Sequence, residues 1–329
     1  MALYNAKFSS FGSFAPKKVV NNFDLEKLVE TSDEWIRTRT GMFERHYTSP
    51  DEAASDLATQ AAIHAIESSS VKYKDIDLIV VGTVTGDHAF PSTACIVQKK
   101  LGLKDIPAFD VSAGCSGFLY SIDVARNYVE NGTMKNVLVI GVDILTKITN
   151  WTDRNTCVLF GDGAGVAIVA PSPDPSRGLV ASCWHADGSL GDLLIQPAGG
   201  SRLPASAETV AAGLHTIHMS GNEVFKHAVR AMSQAAETVL NQARIPPEEV
   251  KLFVPHQANI RILEATCQRT RIPLERTVLA IDRIGNTSAA TIPIGLDMAV
   301  REGRISAGDA VLLDAFGGGF TWGAALVRW

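Results

Sequence analysis

A repeat inside the chain constrains its fold more than any other feature. Thr59-Gln60-Ala61-Ala62 is answered by Ser233-Gln234-Ala235-Ala236, and Asp77-Leu78-Ile79-Val80 by Lys251-Leu252-Phe253-Val254. Val137-Leu138-Val139 is answered by Val311-Leu312-Leu313. Each pair stands 174 residues apart, so a helix, a strand and a second strand keep one spacing in both copies. Phe109-Asp110-Val111 matches Ile281-Asp282-Arg283 at an offset two residues shorter, which sets Gly114-Cys115-Ser116 opposite Asn286-Thr287-Ser288. A 329-residue chain of this kind reads as two related α/β halves, 1–173 and 174–329, divided at the Pro/Ser/Asp-rich connector Pro171 to Arg177. Near-continuous apolar strands separated by helices predict mostly parallel sheets covered on both faces. If the halves pack about a pseudo-twofold axis, the two elbows meet.

The balance of residues narrows the partners. A formal charge of −5 makes nucleic acid an unnatural one. No apolar run approaches the roughly 20 residues of a membrane span, and the N-terminus carries no signal-peptide core. The five cysteines (95, 115, 157, 183 and 267) are odd in number and widely spaced, without CxxC pairs. That pattern argues against disulfides and structural zinc and for a reducing compartment, the cytoplasm.

Chemistry concentrates in three polar turns. Ile106 to Val111 reads as a short strand, and Phe118, Ile122, Ala125 and Val129 recur at helical spacing, so Cys115 lies at an elbow beside a helix N-terminus. Unpaired amides and the helix dipole there favour thiolate over thiol, and small neighbours let a carbonyl approach. A buried structural thiol is the plainer alternative. His256 ends the strand Leu252-Phe253-Val254, where α/β sheets present functional side chains, although a lone histidine there can also be a capping residue. Gly285-Asn286-Thr287-Ser288 is a polar helix-start turn that can serve simply as an N-cap. Gly161-Asp162-Gly163-Ala164-Gly165 and Gly317-Gly318-Gly319 are each followed by strand-like residues, which excludes a Rossmann or phosphate loop.

Four segments together resemble a known family. They are Ala113-Gly114-Cys115-Ser116-Gly117-Phe118, Val254-Pro255-His256-Gln257-Ala258-Asn259, Gly285-Asn286-Thr287-Ser288-Ala289-Ala290 and Ala315-Phe316-Gly317-Gly318-Gly319-Phe320-Thr321-Trp322-Gly323. In this order they look like the β-ketoacyl-[acyl-carrier-protein] synthase III family of thiolase-like condensing enzymes, and the resemblance extends from Thr31 to the C-terminus. It implies a five-layered αβαβα thiolase-like fold and a catalytic set of Cys115, His256 and Asn286. By similarity the N–H groups of Cys115 and Gly319 form an oxyanion hole. The resemblance also implies coenzyme A contacts at Thr31, Trp35, Arg154 and Phe225, and pantetheine contacts at Gly221 and Asn259. Phe90, in His88-Ala89-Phe90-Pro91, resembles the phenylalanine that floors a partner's acyl pocket, which implies a homodimer. Lys226, Arg230, Arg261 and Arg269 are candidates for binding an acidic carrier protein, Lys226 and Arg261 matching family positions best.

The implied reaction joins a short acyl-CoA to malonyl-[acyl-carrier-protein] with loss of CO₂, starting fatty-acid synthesis, with no cofactor beyond the thioester substrate. A starter-unit synthase or acyltransferase of secondary metabolism is the alternative on the same scaffold, and a non-catalytic acyl-CoA-binding protein is a reading of another class. The segment from Gln196 to His215 is longer than its family counterpart, and Trp151 and Asn155 depart from it near the expected tunnel mouth. These departures bear on the starter acyl group.

Overall fold

The computed structural model describes residues 4–329. Nine of its strands build two main sheets. In chain order they are β1 (Asn5–Phe14), β2 (Leu78–Gly82), β3 (Ala108–Val111), β4 (Val137–Ile144), β5 (Asp162–Ser172), β6 (Gly178–Ala186), β7 (Val250–Pro255), β8 (Ala310–Gly317) and β9 (Thr321–Arg328). The first sheet runs β1-β5-β4-β2-β3 and the second β7-β8-β9-β6. Leu78 pairs in parallel with Val137, and Leu252 pairs in parallel with Val311, so the sequence repeat is also a repeat of strand register.

Six longer helices complete the layers: α1 (Ala54–Glu67), α2 (Thr93–Lys100), α3 (Gly117–Glu130), α4 (Gly221–Ala243), α5 (Ile260–Thr270) and α6 (Thr291–Arg301). The strands alternate between two cores. Leu78 and Val80 point inward to Phe118, Leu119 and Ile122 of α3, whereas Ile79 and Val81 point outward to Leu57 and Ala61 of α1. In the second sheet Leu252 and Val254 face the same inner core, with Leu296 of α6, while Phe253 faces Ala236 and Val239 of α4. Each sheet thus buries both faces, which gives five layers with α3 and α6 in the middle. The α3 stripe falls at the spacing its sequence predicts.

Two expectations change. The sheets are mixed rather than mostly parallel: β5 runs antiparallel to β1 and β4, and β9 runs antiparallel to β8 and β6. The reason is connection length. β8 reaches β9 through the tight turn Gly318 to Phe320, and β5 follows β4 without a long crossover helix, whereas parallel neighbours need such a crossover. The second correction concerns register at the elbow. Ile281–Ile284 is a short helix, not a strand, and Thr277 makes the parallel bridge to Phe253 that Ala108 makes to Ile79. The 3₁₀ turns Gly114–Ser116 and Ser288–Ala290, which lead into α3 and α6, keep the offset of 174. Gly114 (φ +54°) therefore corresponds to Ser288 (φ +51°), and Cys115 to Ala289. A left-handed residue opens each elbow, and in the second half it is a serine despite the cost to a residue with a Cβ.

The elbows press on the strands beneath them. A Cβ on Gly141 of β4 would stand 2.2 Å from the Ala289 carbonyl oxygen, so Gly141→Ala has to displace the Ser288–Ala290 turn. That substitution is expected to lower stability by about 1–3 kcal/mol, read as a lower Tm. Gly188→Ala, where no heavy atom would lie within 4 Å, is the control and should leave Tm unchanged.

Candidate active site

Both elbows open on one cavity of about 860 Å³, lined by Cys115, His256, Asn286 and Gly319 among others. The cysteine follows β3 and the histidine follows β7, so each half contributes the carboxyl end of a strand. The glycines of the β8–β9 turn make the approach possible. A Cβ on Gly317 would lie 2.4 Å from the Cys115 nitrogen, and one on Gly114 would lie 2.8 Å from Gly318 backbone atoms. Any side chain at either position would push the cysteine turn off the turn carrying Gly319. Among the described residues neither the Cys115 nor the Gly319 N–H donates to a main-chain carbonyl outside regular elements.

Each reactive group is fixed by neighbours. The Asn286 backbone is pinned between Leu159 and Gly161: its N–H donates to the Leu159 carbonyl at 2.9 Å, and its carbonyl accepts from Gly161 at 3.0 Å. Its side-chain oxygen accepts from the Ser288 N–H at 2.9 Å, which leaves the amide NH₂ as the free donor. His256 is held by its own N–H on the Asp314 carbonyl (2.8 Å) and by a ring bond from Nδ1 to the Thr291 hydroxyl (2.7 Å). Burial alone pushes its pKa down to about 3, so the imidazole is neutral at working pH.

The Cys115 side chain is half-buried in the cavity lining. Burial pushes the Cys115 thiol up to about 12; the Ser288 hydroxyl, 3.3 Å from Sγ, lowers it and the Asp143 carboxylate raises it further.

The binding residues divide. Trp35, Gly221, Phe225, Asn259 and Arg261 line the cavity with Cys115, His256 and Asn286. Arg154 does not, but its guanidinium lies 5.1 Å from the Trp35 ring centroid, on which Arg39 also sits at 5.7 Å. An adenine sandwiched between Trp35 and Arg154 therefore has to displace the guanidinium outward. The Thr31 hydroxyl is buried without a partner. Lys226 pairs with Glu223 at 2.7 Å, and Arg261 lies 5.5 Å from the Phe225 ring centroid. Arg230 and Arg269 stand outside the cavity lining, as does Phe90, which is 85 % exposed. The long segment after Gln196 folds into a short helix, Ala207–Ala211, and returns where the Ile217 N–H donates to the Ile148 carbonyl; only its ends, Gln196 and Ile217, line the cavity beside Leu194 and Ile195. Sequence reading passed over Arg39, Ser288, Thr291 and Asp143. Ser288 and Thr291 stood in or beside a quoted motif, whereas Asp143 is an isolated aspartate near the end of a strand and gave no signal.

Comparisons with known proteins converge on one family. The description 3-oxoacyl-[acyl-carrier-protein (ACP)] synthase III matches residues 109–188, and its C-terminal counterpart matches residues 240–329. A β-ketoacyl-[acyl-carrier-protein] synthase III of Caldanaerobacter subterraneus subsp. tengcongensis is 52% identical over 97% of this chain and 96% of its own. The chain belongs to the β-ketoacyl-[acyl-carrier-protein] synthase III family. Among solved structures, the 3-oxoacyl-[acyl-carrier-protein] synthase III of Aquifex aeolicus superposes with a TM-score of 0.91 at 45% identity, covering 98% of this chain and 100% of that one. The priming β-ketosynthase of the R1128 polyketide pathway also superposes at 0.91, with 31% identity over 98% of this chain and 96% of its own. The five-layered thiolase-like fold is thus the synthase III fold. No helix of the described residues is long and apolar enough to cross a membrane, and no three metal-ligating side chains among them come together.

Proposed function

We propose that the chain catalyses the decarboxylating condensation of a short acyl-CoA with malonyl-[acyl-carrier-protein], the step that initiates fatty-acid synthesis. The observation that carries this reading is the convergence on one cavity of a sulfur from half 1–173 with an imidazole and an amide from half 174–329. Cys115 attacks the thioester carbon, coenzyme A leaves as its thiolate, and an acyl-enzyme remains. The Cys115 and Gly319 N–H groups receive the negative charge on the carbonyl oxygen of the tetrahedral intermediate.

Malonyl-carrier protein then binds. His256 and Asn286 donate to its thioester oxygen, where charge develops as CO₂ departs, and the carbanion attacks the acyl-enzyme. In this reading the one Thr291 hydroxyl proton goes to Nδ1 at 2.7 Å rather than to the Ser288 carbonyl 3.0 Å away, leaving Nε2–H for the substrate. Because burial holds the imidazole neutral, condensation from pre-acylated enzyme should be level between about pH 5 and 8. Stopped-flow release of CO₂ across that range checks it, and an acid limb near 6.5 would contradict a permanently neutral donor.

Trp35 and Arg154 hold the nucleotide end of coenzyme A, Phe225, Gly221 and Asn259 line its path, and Thr31 stands outside the cavity lining. Trp35→Ala is expected to raise KM for acyl-CoA about tenfold while kcat changes less than about twofold, because those contacts are equal in ground and transition states. Lys226, Arg261 and Arg269 supply positive charge for the acidic carrier protein. Phe90, exposed on a segment next to the edge strand β3, reaches a second copy in a homodimer, and the five free thiols suit the cytoplasm.

A priming role in secondary metabolism is the second reading, favoured by the R1128 neighbour. Steady-state rates with a panel of acyl-CoAs and malonyl-carrier protein test both. Fatty-acid initiation requires CO₂ release with short acyl groups, and acyl transfer without CO₂ would overturn it.

A further inference from the structure

Arg45, in the strand Glu44–Tyr47, is wholly buried and stands outside the cavity lining. Its Nη2 donates to the Val158 carbonyl at 2.6 Å and its Nη1 to the Asn22 side-chain oxygen at 2.7 Å. Both acceptors are neutral, and Nε is buried without a partner. Two neutral oxygens offset the desolvation of a guanidinium only in part, so this residue costs the fold free energy. Its surroundings connect it to Asn286. Val158 opens the segment in which the Leu159 carbonyl and the Gly161 N–H bond the Asn286 main chain, with Phe160 bridging to Asn286 between them. The Arg45 stem packs on both sides of that bridge: a Cβ on Gly161 would stand 3.2 Å from the Arg45 Cβ, and one on Gly285 would stand 3.1 Å from it. The far end of the fork is anchored as well. Asn22 donates to the Met42 carbonyl (2.9 Å) and to Asp33 (2.8 Å), the first residue of the helix Asp33–Thr40.

We infer that Arg45 is a positioning residue for condensation: its guanidinium fork fixes the segment from Val158 to Gly161, and with it the place where Asn286 presents its amide. A planar fork spans two acceptors at a set separation, which a single ammonium does not. The precision matters because the Asn286 donor meets charge that develops only in the transition state, where a displacement of about 1 Å can cost up to about 10²-fold. Acylation of Cys115 does not use Asn286, so it lies outside the reach of this residue. The inference rests on Asn286 donating in condensation, which Asn286→Ala tests by itself.

Single-turnover acylation by acetyl-CoA, and CO₂ release when malonyl-carrier protein meets the acylated enzyme, test it in Arg45→Met, Asn286→Ala and the double variant. Methionine fills much of the stem's space but donates nothing. It should slow CO₂ release about tenfold while acylation stays within about twofold. Added to Asn286→Ala, it should slow CO₂ release by less than about twofold more, because the group it positions is already gone. Arg45→Lys keeps the stem and the charge but not the fork, and should slow CO₂ release about threefold with acylation unchanged. Circular-dichroism melts establish which variants fold, and the lysine variant carries the same comparison if the methionine one does not. Equal slowing of both steps in a folded variant, CO₂ release at the wild-type rate, or a full loss that persists beside Asn286→Ala would each overturn the inference alone. CO₂ release unchanged by Asn286→Ala would overturn it together with the role of Asn286.

Discussion

Cys115→Ser is expected to lower turnover by about 10³-fold or more while leaving acyl-CoA binding nearly unchanged. In the proposed reaction the small residues of the elbow and the β8–β9 turn let a thioester carbonyl approach the Cys115 and Gly319 N–H groups. Serine fits the space, yet its hydroxyl ionises far less readily than a thiol and has only the Ser288 oxygen beside it. The loss belongs to kcat, since the residues about Trp35 that are proposed to bind the nucleotide are untouched. Isothermal titration with coenzyme A and steady-state rates on the same preparation separate the two. Equal losses of binding and turnover would mean that the elbow had collapsed instead.

His256→Ala and Asn286→Ala are expected to separate the two halves of the reaction. Each should slow CO₂ release about 10²- to 10³-fold, the range for removing one preorganised donor. Acyl-enzyme formation should remain within about tenfold of the wild type, because the attack on acyl-CoA uses the N–H donors rather than this pair. The double variant should lose much less than the product of the single losses, since one donor without the other no longer fixes the thioester oxygen. Single-turnover acylation followed by a malonyl-carrier protein chase reads both steps. Parallel loss of acylation would assign His256 to activating the sulfur, a role that the Ser288 contact to Sγ and the Thr291 contact to Nδ1 leave to other residues.

Much of this arrangement is legible in the residues because its causes are local. Leu78-Ile79-Val80-Val81 is apolar throughout because its two faces enter different cores, and the same holds for Leu252-Phe253-Val254. The 174-residue spacing survives because both copies keep the same parallel register. Where the reading slipped, the cause was non-local. Ile281-Asp282-Arg283 resembles Phe109-Asp110-Val111 in pattern, but Thr277 had already made the sheet bridge, and a short helix filled the remaining distance. The start of β5 at Asp162, within the glycines, is equally non-local, because a Cβ on Gly165 would collide with Pro293 and Ile294 of α6. The helix start beside Cys115 is visible in sequence, whereas the cavity walls and Asp143 that surround the sulfur are not. Asp143 meets Thr83 to Thr85 and Ala289 only after folding.

The most direct test of the account is the intact mass of the enzyme after acetyl-CoA, taken before and after adding malonyl-carrier protein. The account predicts one acetyl group on the peptide containing Cys115, discharged on the chase with an equal amount of CO₂. An unlabelled Cys115, or an acetyl group that the chase leaves in place, would contradict it.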